Sequence, residues 1–272
     1  MKGSVIGFCT ENTEVQTAQV NQPEVIQPRK SLVQIHFSER NMTLAYYNDR
    51  FDLHVGDVVY VDGKMEGLRG RVTEVSYTFK IKLSDYKRVI GLVDTKVEGQ
   101  LLFAGSHCVS FDSNTIPYEK IRTWYKAPSP AEEYASGDEG NMLPLYDLDK
   151  LHVSSAIGDR GIEYYKNNRV IYVEINGTRG RAIVQGTKPY ELEFTYKDGM
   201  YGGLVCECFS AAACKHQVAM LLQLRETIDF IRDNYADEYA KTSYFAAISK
   251  FNLFRDAIDG MCKGKIVIEK TE

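Results

Sequence analysis

Cys206-Glu207-Cys208-Phe209-Ser210-Ala211-Ala212-Ala213-Cys214-Lys215-His216 decides how this 272-residue chain is read. The pattern is C-x-C-x5-C-x-H. Residues i and i+2 lie about 200° apart around a helix but on one side of a strand. The spacing therefore predicts that Cys206 and Cys208 close a strand with both sulfurs aimed at one point. The five-residue loop holds three alanines and a serine, small enough to fold back tightly. Cys214 and His216 then fall where a helix begins, before regular helical geometry would separate them. Three thiolates and one imidazole suit tetrahedral Zn²⁺ in a closed structural site. With these ligands the ion carries a single net negative charge, which Lys215, set between two of them, offsets. Structural zinc contributes about 10–16 kcal/mol in small finger peptides, more than so small a hairpin and helix gain from their own core. The competing readings are buried apolar cysteines, a redox pair, or an iron–sulfur cluster, which normally takes four cysteines. Catalytic zinc needs an open position, and here all four are filled. Glu207 fits a solvent-facing strand position.

The flanks of the cluster supply its scaffold. A short helix is expected over 154–167. Asn176-Gly177 and Asp198-Gly199 are hairpin turns, the first joining 170–175 to 178–184, the second joining 190–196 to 204–208. After Cys214 the chain turns helical, with Val218, Leu221, Leu222 and Ile228 on one face. A further helix is expected over 240–259, because Tyr244, Ile248, Phe251 and Ile258 recur at helical spacing and Gly260 stops it. Ile266-Val267-Ile268 adds a final strand. The arrangement resembles the SWIM-type zinc finger found in chromatin-remodelling ATPases, plant transposases and many bacterial proteins. The resemblance covers about 154–224, through Gly161-Ile162-Glu163-Tyr164-Tyr165, Arg179-Gly180-Arg181-Ala182 and Cys214-Lys215-His216. It implies Cys206, Cys208, Cys214 and His216 as metal ligands and DNA or other proteins as partners. The five-residue loop is towards the short end for the family.

The N-terminal half has a different texture. Residues 1–28 are rich in Gln, Glu, Asn and Thr and read as a mobile arm. From Leu32 onward Val33, Ile35 and Phe37 alternate with polar residues, as do Phe79, Ile81 and Leu83. Turn signals about every 10 residues between 30 and 105 suggest a small barrel or sandwich. Leu53-His54-Val55-Gly56-Asp57-Val58-Val59-Tyr60-Val61, with Gly70-Arg71-Val72-Thr73-Glu74-Val75, is similar to the small β-barrel that binds 3′ DNA ends in the primosomal replication-restart helicase. It is equally similar to many SH3-like barrels. Arg69, Arg71, Lys80, Lys82, Lys87 and Arg88 interleave with Tyr60, Tyr77, Phe79 and Tyr86, a mixture that tracks phosphates and stacks bases. The alternative is that Lys80 and Lys82 are merely the wet side of a strand.

Charge narrows the partners. With 33 Lys and Arg against 37 Asp and Glu, the formal net charge is −4, so no whole-chain field grips nucleic acid or an anionic membrane. The excess acid is local: 131–149 carries six carboxylates and no Lys or Arg, whereas 29–98 and 150–225 both lean positive. No apolar run approaches the roughly 18 residues that span a bilayer, and the first residues lack a secretory signal. Six cysteines are too few for a disulfide scaffold; Cys9, Cys108 and Cys262 read as incidental thiols. His36, His54, His107 and His152 complete no site. No P-loop, G-x-S-x-G, H-E-x-x-H or catalytic carboxylate pair is present.

The sequence therefore predicts an α+β protein in five parts. A mobile arm (1–28) precedes a small N-terminal β-barrel (29–127) and an acidic linker (128–150). An antiparallel-hairpin zinc domain (151–228) and a helical C-terminal extension (229–272) follow. The expected function is a non-catalytic, cytoplasmic zinc protein that binds nucleic acid, DNA first, through Arg179, Arg181 and Lys215, with Arg69 and Arg71 on the barrel. The alternative is a protein-interaction adapter or scaffold subunit. Neither a membrane nor a small-molecule substrate is expected.

Overall fold

In the computed structural model, residues 28–130, 134, 140–257 and 262–267 are described. The expected arm up to residue 27, and the acidic run 131–139 apart from Tyr134, lie outside the described residues.

The N-terminal strands are β1 (Ser31–Phe37), β2 (Met42–Asn48), β3 (Val58–Val61), β4 (Gly70–Ser76) and β5 (Val89–Val93). They form one sheet in the order β2-β1-β4-β3-β5, with every neighbour antiparallel. Val33, Ile35 and Phe37 are fully buried, as their alternation predicts, and pack with Tyr46, Leu53, Val59, Val61 and Met65 on one face. The expected closed barrel is not there. Edge strands β2 and β5 share no ladder. The β2 edge and the approach to β5 meet through an isolated Tyr47–Arg88 bridge, the Tyr47 N–H donated to the Lys87 carbonyl at 2.9 Å, and the Arg88 side chain, which lies over the Tyr47 ring and pairs with Asp49. The expected strand at 79–83 is also absent: residues 79–82 have no strand partner and 83–85 form a 3-10 turn. Its alternation reflects one anchored ring, Phe79, whose edge meets Tyr47 with centroids 6.2 Å apart.

The barrel was expected to run to residue 127, but β6 (Val97–Ala104) and β7 (Cys108–Phe111) belong to a second, nine-stranded sheet. Its other strands are β8 (Met142–Pro144), β9 (Val170–Asn176), β10 (Arg179–Gln185), β11 (Pro189–Lys197), β12 (Met200–Cys206), β13 (Tyr244–Ser249) and β14 (Cys262–Val267). The order is β14-β6-β7-β13-β9-β10-β11-β12-β8, antiparallel except where β14 lies parallel to β6. Part of the predicted linker is thus a structural edge: β8 pairs with β12, and Leu145 beside it is fully buried.

Helices α1 (Tyr118–Tyr125), α2 (Ser155–Lys166), α3 (Lys215–Asn234) and α4 (Ala236–Thr242) flank this sheet. Helix α3 covers one face through Ala219, Met220, Leu221 and Leu224, which meet Val173, Ile175, Ala182 and Val184. On the other face Ile121 and Trp124 of α1 meet Ile171, Ile183, Ala246 and Ile248, and Tyr60 and Val93 of the first sheet join the same cluster. Trp124 ties the two sheets by donating its indole N–H to the Asp94 carbonyl at 2.7 Å. Helix α2 lies on α3 at Gly161, where a Cβ would stand only 2.4 Å from Val218.

The two predicted hairpins are present, and Asp198 and Gly199 both take positive φ (50° and 78°), as a tight two-residue turn requires. The predicted continuous helix over 240–259 is interrupted: residues 240–242 end α4 and 250–257 are helical turns, but the middle is extended. Residues Tyr244–Ser249 form β13, a central strand between β7 and β9. Phe245 and Ala247 face one core and Ala246 and Ile248 the other. A strand buried on both faces loses its polar alternation, so the short apolar run fits a helix period equally well. Among the described residues, no helix is long and apolar enough to cross a membrane.

Candidate metal centre

Strand β12 ends at Cys206, which pairs with Leu192 of β11. Cys208 lies just beyond the strand, and the loop that follows carries Phe209 fully into solvent. Cys214 is the N-cap of α3. Its sulfur accepts the Gln217 backbone N–H, and Gln217 Oε1 accepts the Cys214 backbone N–H at 2.8 Å. This is a capping box with a thiol in the place usually taken by a hydroxyl. Gln217 Nε2 also donates to the Leu204 carbonyl at 3.1 Å, so one buried side chain stitches the helix start to β12. Gln217 went unread in the sequence, although a ligand followed three residues later by Gln is a cap signal.

These constraints bring all four predicted ligands together. One donor atom from each of Cys206, Cys208, Cys214 and His216 lies within 4.8 Å of the others. His216 Nδ1 is 3.9 Å from Cys206 Sγ and 3.8 Å from Cys214 Sγ. A tetrahedral ion with Zn–S near 2.3 Å and Zn–N near 2.0 Å has donor–donor edges of about 3.6–3.8 Å. The cluster is therefore close to the size a four-coordinate ion requires, and its donor set fits one. The imidazole is held by its walls, with Tyr190 at 4.6 Å and Tyr164 at 5.6 Å between ring centroids. Its Nε2 is buried against Gly186, where a Cβ would stand 2.7 Å away, so Nδ1 is the nitrogen turned to the sulfurs.

The thiols are electrostatically unequal. A hydrogen bond from the Cys206 thiol, helped by His216 and the Gln217 N–H, outweighs burial and pulls the Cys214 thiol down to about 4. The same bond to Cys214, with burial, holds Cys206 well above an ordinary thiol, and burial raises Cys208. At neutral pH the metal-free cluster thus keeps two protons that a metal must displace. Zinc affinity is expected to rise roughly hundredfold per pH unit around neutrality, measured by chelator competition between about pH 6 and 8. A pH-independent affinity would contradict the thiol assignments.

Glu207 is not the solvent-facing residue expected. Its Oε2 accepts from Lys126 Nζ at 2.6 Å and from the Glu191 backbone N–H at 2.9 Å. Lys126 also reaches Glu191 at 3.0 Å, and Arg122 Nε bonds Glu191 at 2.6 Å. Burial raises the Glu191 carboxyl, but Lys126 and Arg122 outweigh it and hold it below the usual carboxylate range. The end of α1 is thereby pinned to the backbone that carries Cys206 and Cys208. No local pattern announces this, since Lys126 is 81 residues from Glu207.

The predicted nucleic-acid contacts are not gathered at the cluster. Arg181 is mostly buried, with Glu174 at 3.3 Å, Glu119 at 3.5 Å and the Tyr118 ring 3.9 Å from its guanidinium. Arg179 pairs with Glu193 at 2.7 Å. Arg181 points to the α1 side of the sheet, whereas Lys215 opens α3 on the opposite side, its ammonium 4.5 Å above the Tyr164 ring. Arg71 donates to the Gly56 carbonyl at 2.9 Å, and Arg69 is half-buried at the mouth of a cleft between the sheets. No protein-family model, curated protein or solved structure matches the chain.

Proposed function

We propose that this chain is a non-catalytic zinc-binding protein of the SWIM type that binds nucleic acid, DNA first. The observation that carries the reading is the closure of the cluster: three sulfurs and one imidazole within 4.8 Å of one another supply every position of a tetrahedral ion. Such a site leaves no position for water or substrate, so the metal is structural and zinc is the ion suited to the S₃N set. It clamps the end of β12 to the start of α3. Three reduced thiols suit a reducing compartment, for which the cytoplasm is the natural choice.

Nucleic-acid binding is supported by the family resemblance and by the positive balance of residues 29–98 and 150–225. Its test is retention of the zinc-loaded full chain on immobilised DNA near 50 mM salt, with release as salt rises. Absence of binding near 50 mM overturns it. A second reading, an adapter that docks a protein, is favoured by Phe209, which is 99% exposed at the tip of the metal loop. Recovery of a partner from nuclease-treated lysate, lost with Phe209→Ala, selects the adapter.

A further inference from the structure

A cleft of about 830 Å³ opens where the rim of the first sheet meets the second. Five cations line it, Arg69, Arg169, Lys188, Lys250 and Arg255, against a single carboxylate, Glu39. They come from separate segments: Arg69 precedes β4, Arg169 precedes β9, Lys188 sits in the β10–β11 turn, and Lys250 and Arg255 follow β13. A wet helix or strand face does not produce that convergence. Among the described residues, Arg169, Lys188 and Lys250 form no ion pair with a carboxylate. Lys250 Nζ donates to the Ser106 carbonyl and lies 4.7 Å from the Phe103 ring, and Lys188 Nζ lies 5.7 Å from the Tyr190 ring, so none of the three charges is neutralised by a protein anion. Gathered like charge costs folding free energy, and an anion in the cleft would relieve it.

The same cleft holds an aromatic platform. Phe251 is 62% exposed there, with the Arg255 guanidinium 3.9 Å from its ring centroid. A base stacks on such a face at no sequence preference, while neighbouring cations take the phosphates. The volume lies within the range of about 300–1,000 Å³ for pockets that enclose a small organic molecule. One or two nucleotides of a strand fit; a duplex does not enter. We infer that this cleft is a binding site for single-stranded nucleic acid, with phosphates on Arg169 and Lys188 and a base on Phe251. The inference rests on the nucleic-acid reading above and moves the contact away from Arg179 and Arg181. It also gives the metal a positioning role, because the turn that carries Lys188 begins at Gly186, against His216.

The test is fluorescence anisotropy of a labelled oligothymidine of about 12 nucleotides with the zinc-loaded full chain, beside a duplex of equal length. Arg169→Ala/Lys188→Ala removes two exposed cations of the cleft. Lys197→Ala/Lys241→Ala removes two exposed cations elsewhere and is the charge-matched control. The expected result is tighter binding of the single strand than of the duplex. The cleft variant should bind about tenfold or more weakly, with a salt slope reduced by about 1.4, while the control stays near wild type. Equal zinc content in the variants verifies their fold. Binding by the wild type that survives in the cleft variant, or a preference for duplex, overturns the cleft and leaves the nucleic-acid reading standing. No binding of either probe near 50 mM salt overturns both.

Discussion

Cys206→Ser is expected to release the single zinc from the freshly purified chain and to lower its melting midpoint sharply. Cys206 is the ligand fixed by the β11–β12 ladder, and its sulfur lies 3.9 Å from the imidazole nitrogen. A serine hydroxyl is a poor ligand at neutral pH and leaves the ion three-coordinate, while Cys214 and His216 stay buried beside it. Structural zinc contributes on the order of 10 kcal/mol in finger peptides, so even a third of that is a large share of the roughly 5–15 kcal/mol margin of a typical domain. The damage is local first. The last turn of β12, the loop behind it and the start of α3 should lose amide-exchange protection, because the clamp and the Gln217 stitch act on those residues. The middle of α3 should hold longer, since Met220, Leu221 and Leu224 are packed on the sheet. Cys108→Ser is the comparison. That thiol is buried on β7 outside the cluster, pushed up to about 12 by burial, and its loss should leave zinc content unchanged. Zinc retained at one equivalent in Cys206→Ser, or absent from the wild type, would refute the assignment.

The cluster was legible because its four donors and two hairpin turns all lie within about 50 residues, where spacing alone limits geometry. Asp198-Gly199 sets the β11–β12 register next to the turn, and a bulge between Glu193 and Thr195 shifts it by one residue before the ladder ends at Cys206. What stayed hidden is non-local. Strand β13 is inserted between β7 and β9, which are more than 50 residues apart in the chain, and it carries no polar face to mark it as a strand. The division between sheets at Val93–Val97, not near residue 127, follows from the pairing of β7 with β13, which no local pattern encodes. Lys126, Glu191 and Glu207 form their bonds across 65 and 81 residues. The cations of the cleft converge from both halves of the chain for the same reason. Net charge per segment recorded their sign but not their meeting place.

Arg181→Met is expected to cost about 3–5 kcal/mol of stability, far more than the loss of a surface cation. Glu174 is buried in the middle of β9, and its two oxygens are committed to Arg181 at 3.3 Å and to the Tyr172 hydroxyl, which donates at 2.8 Å. Removing the guanidinium leaves that carboxylate in a low-dielectric interior with one neutral donor. It also strips the cation from the face of Tyr118, 3.9 Å away, and so loosens α1. The burden is the orphaned charge, not the lost attraction, so Glu174→Gln in the same chain should restore much of the stability. That rescue is the decisive readout. A phosphate-contacting arginine behaves otherwise, losing affinity for nucleic acid with its stability intact, and no change at Glu174 would repair it. Arg179 supplies the internal contrast: its pair with Glu193 is more than half exposed on both sides, and Arg179→Met should lower the unfolding free energy from denaturant titration by no more than about 1 kcal/mol. If Arg181→Met proves as mild as Arg179→Met, the buried pair is not what holds this face of the sheet. If it is severe and Glu174→Gln rescues it, Arg181 is a structural cation, and the search for phosphate contacts belongs in the cleft between the sheets.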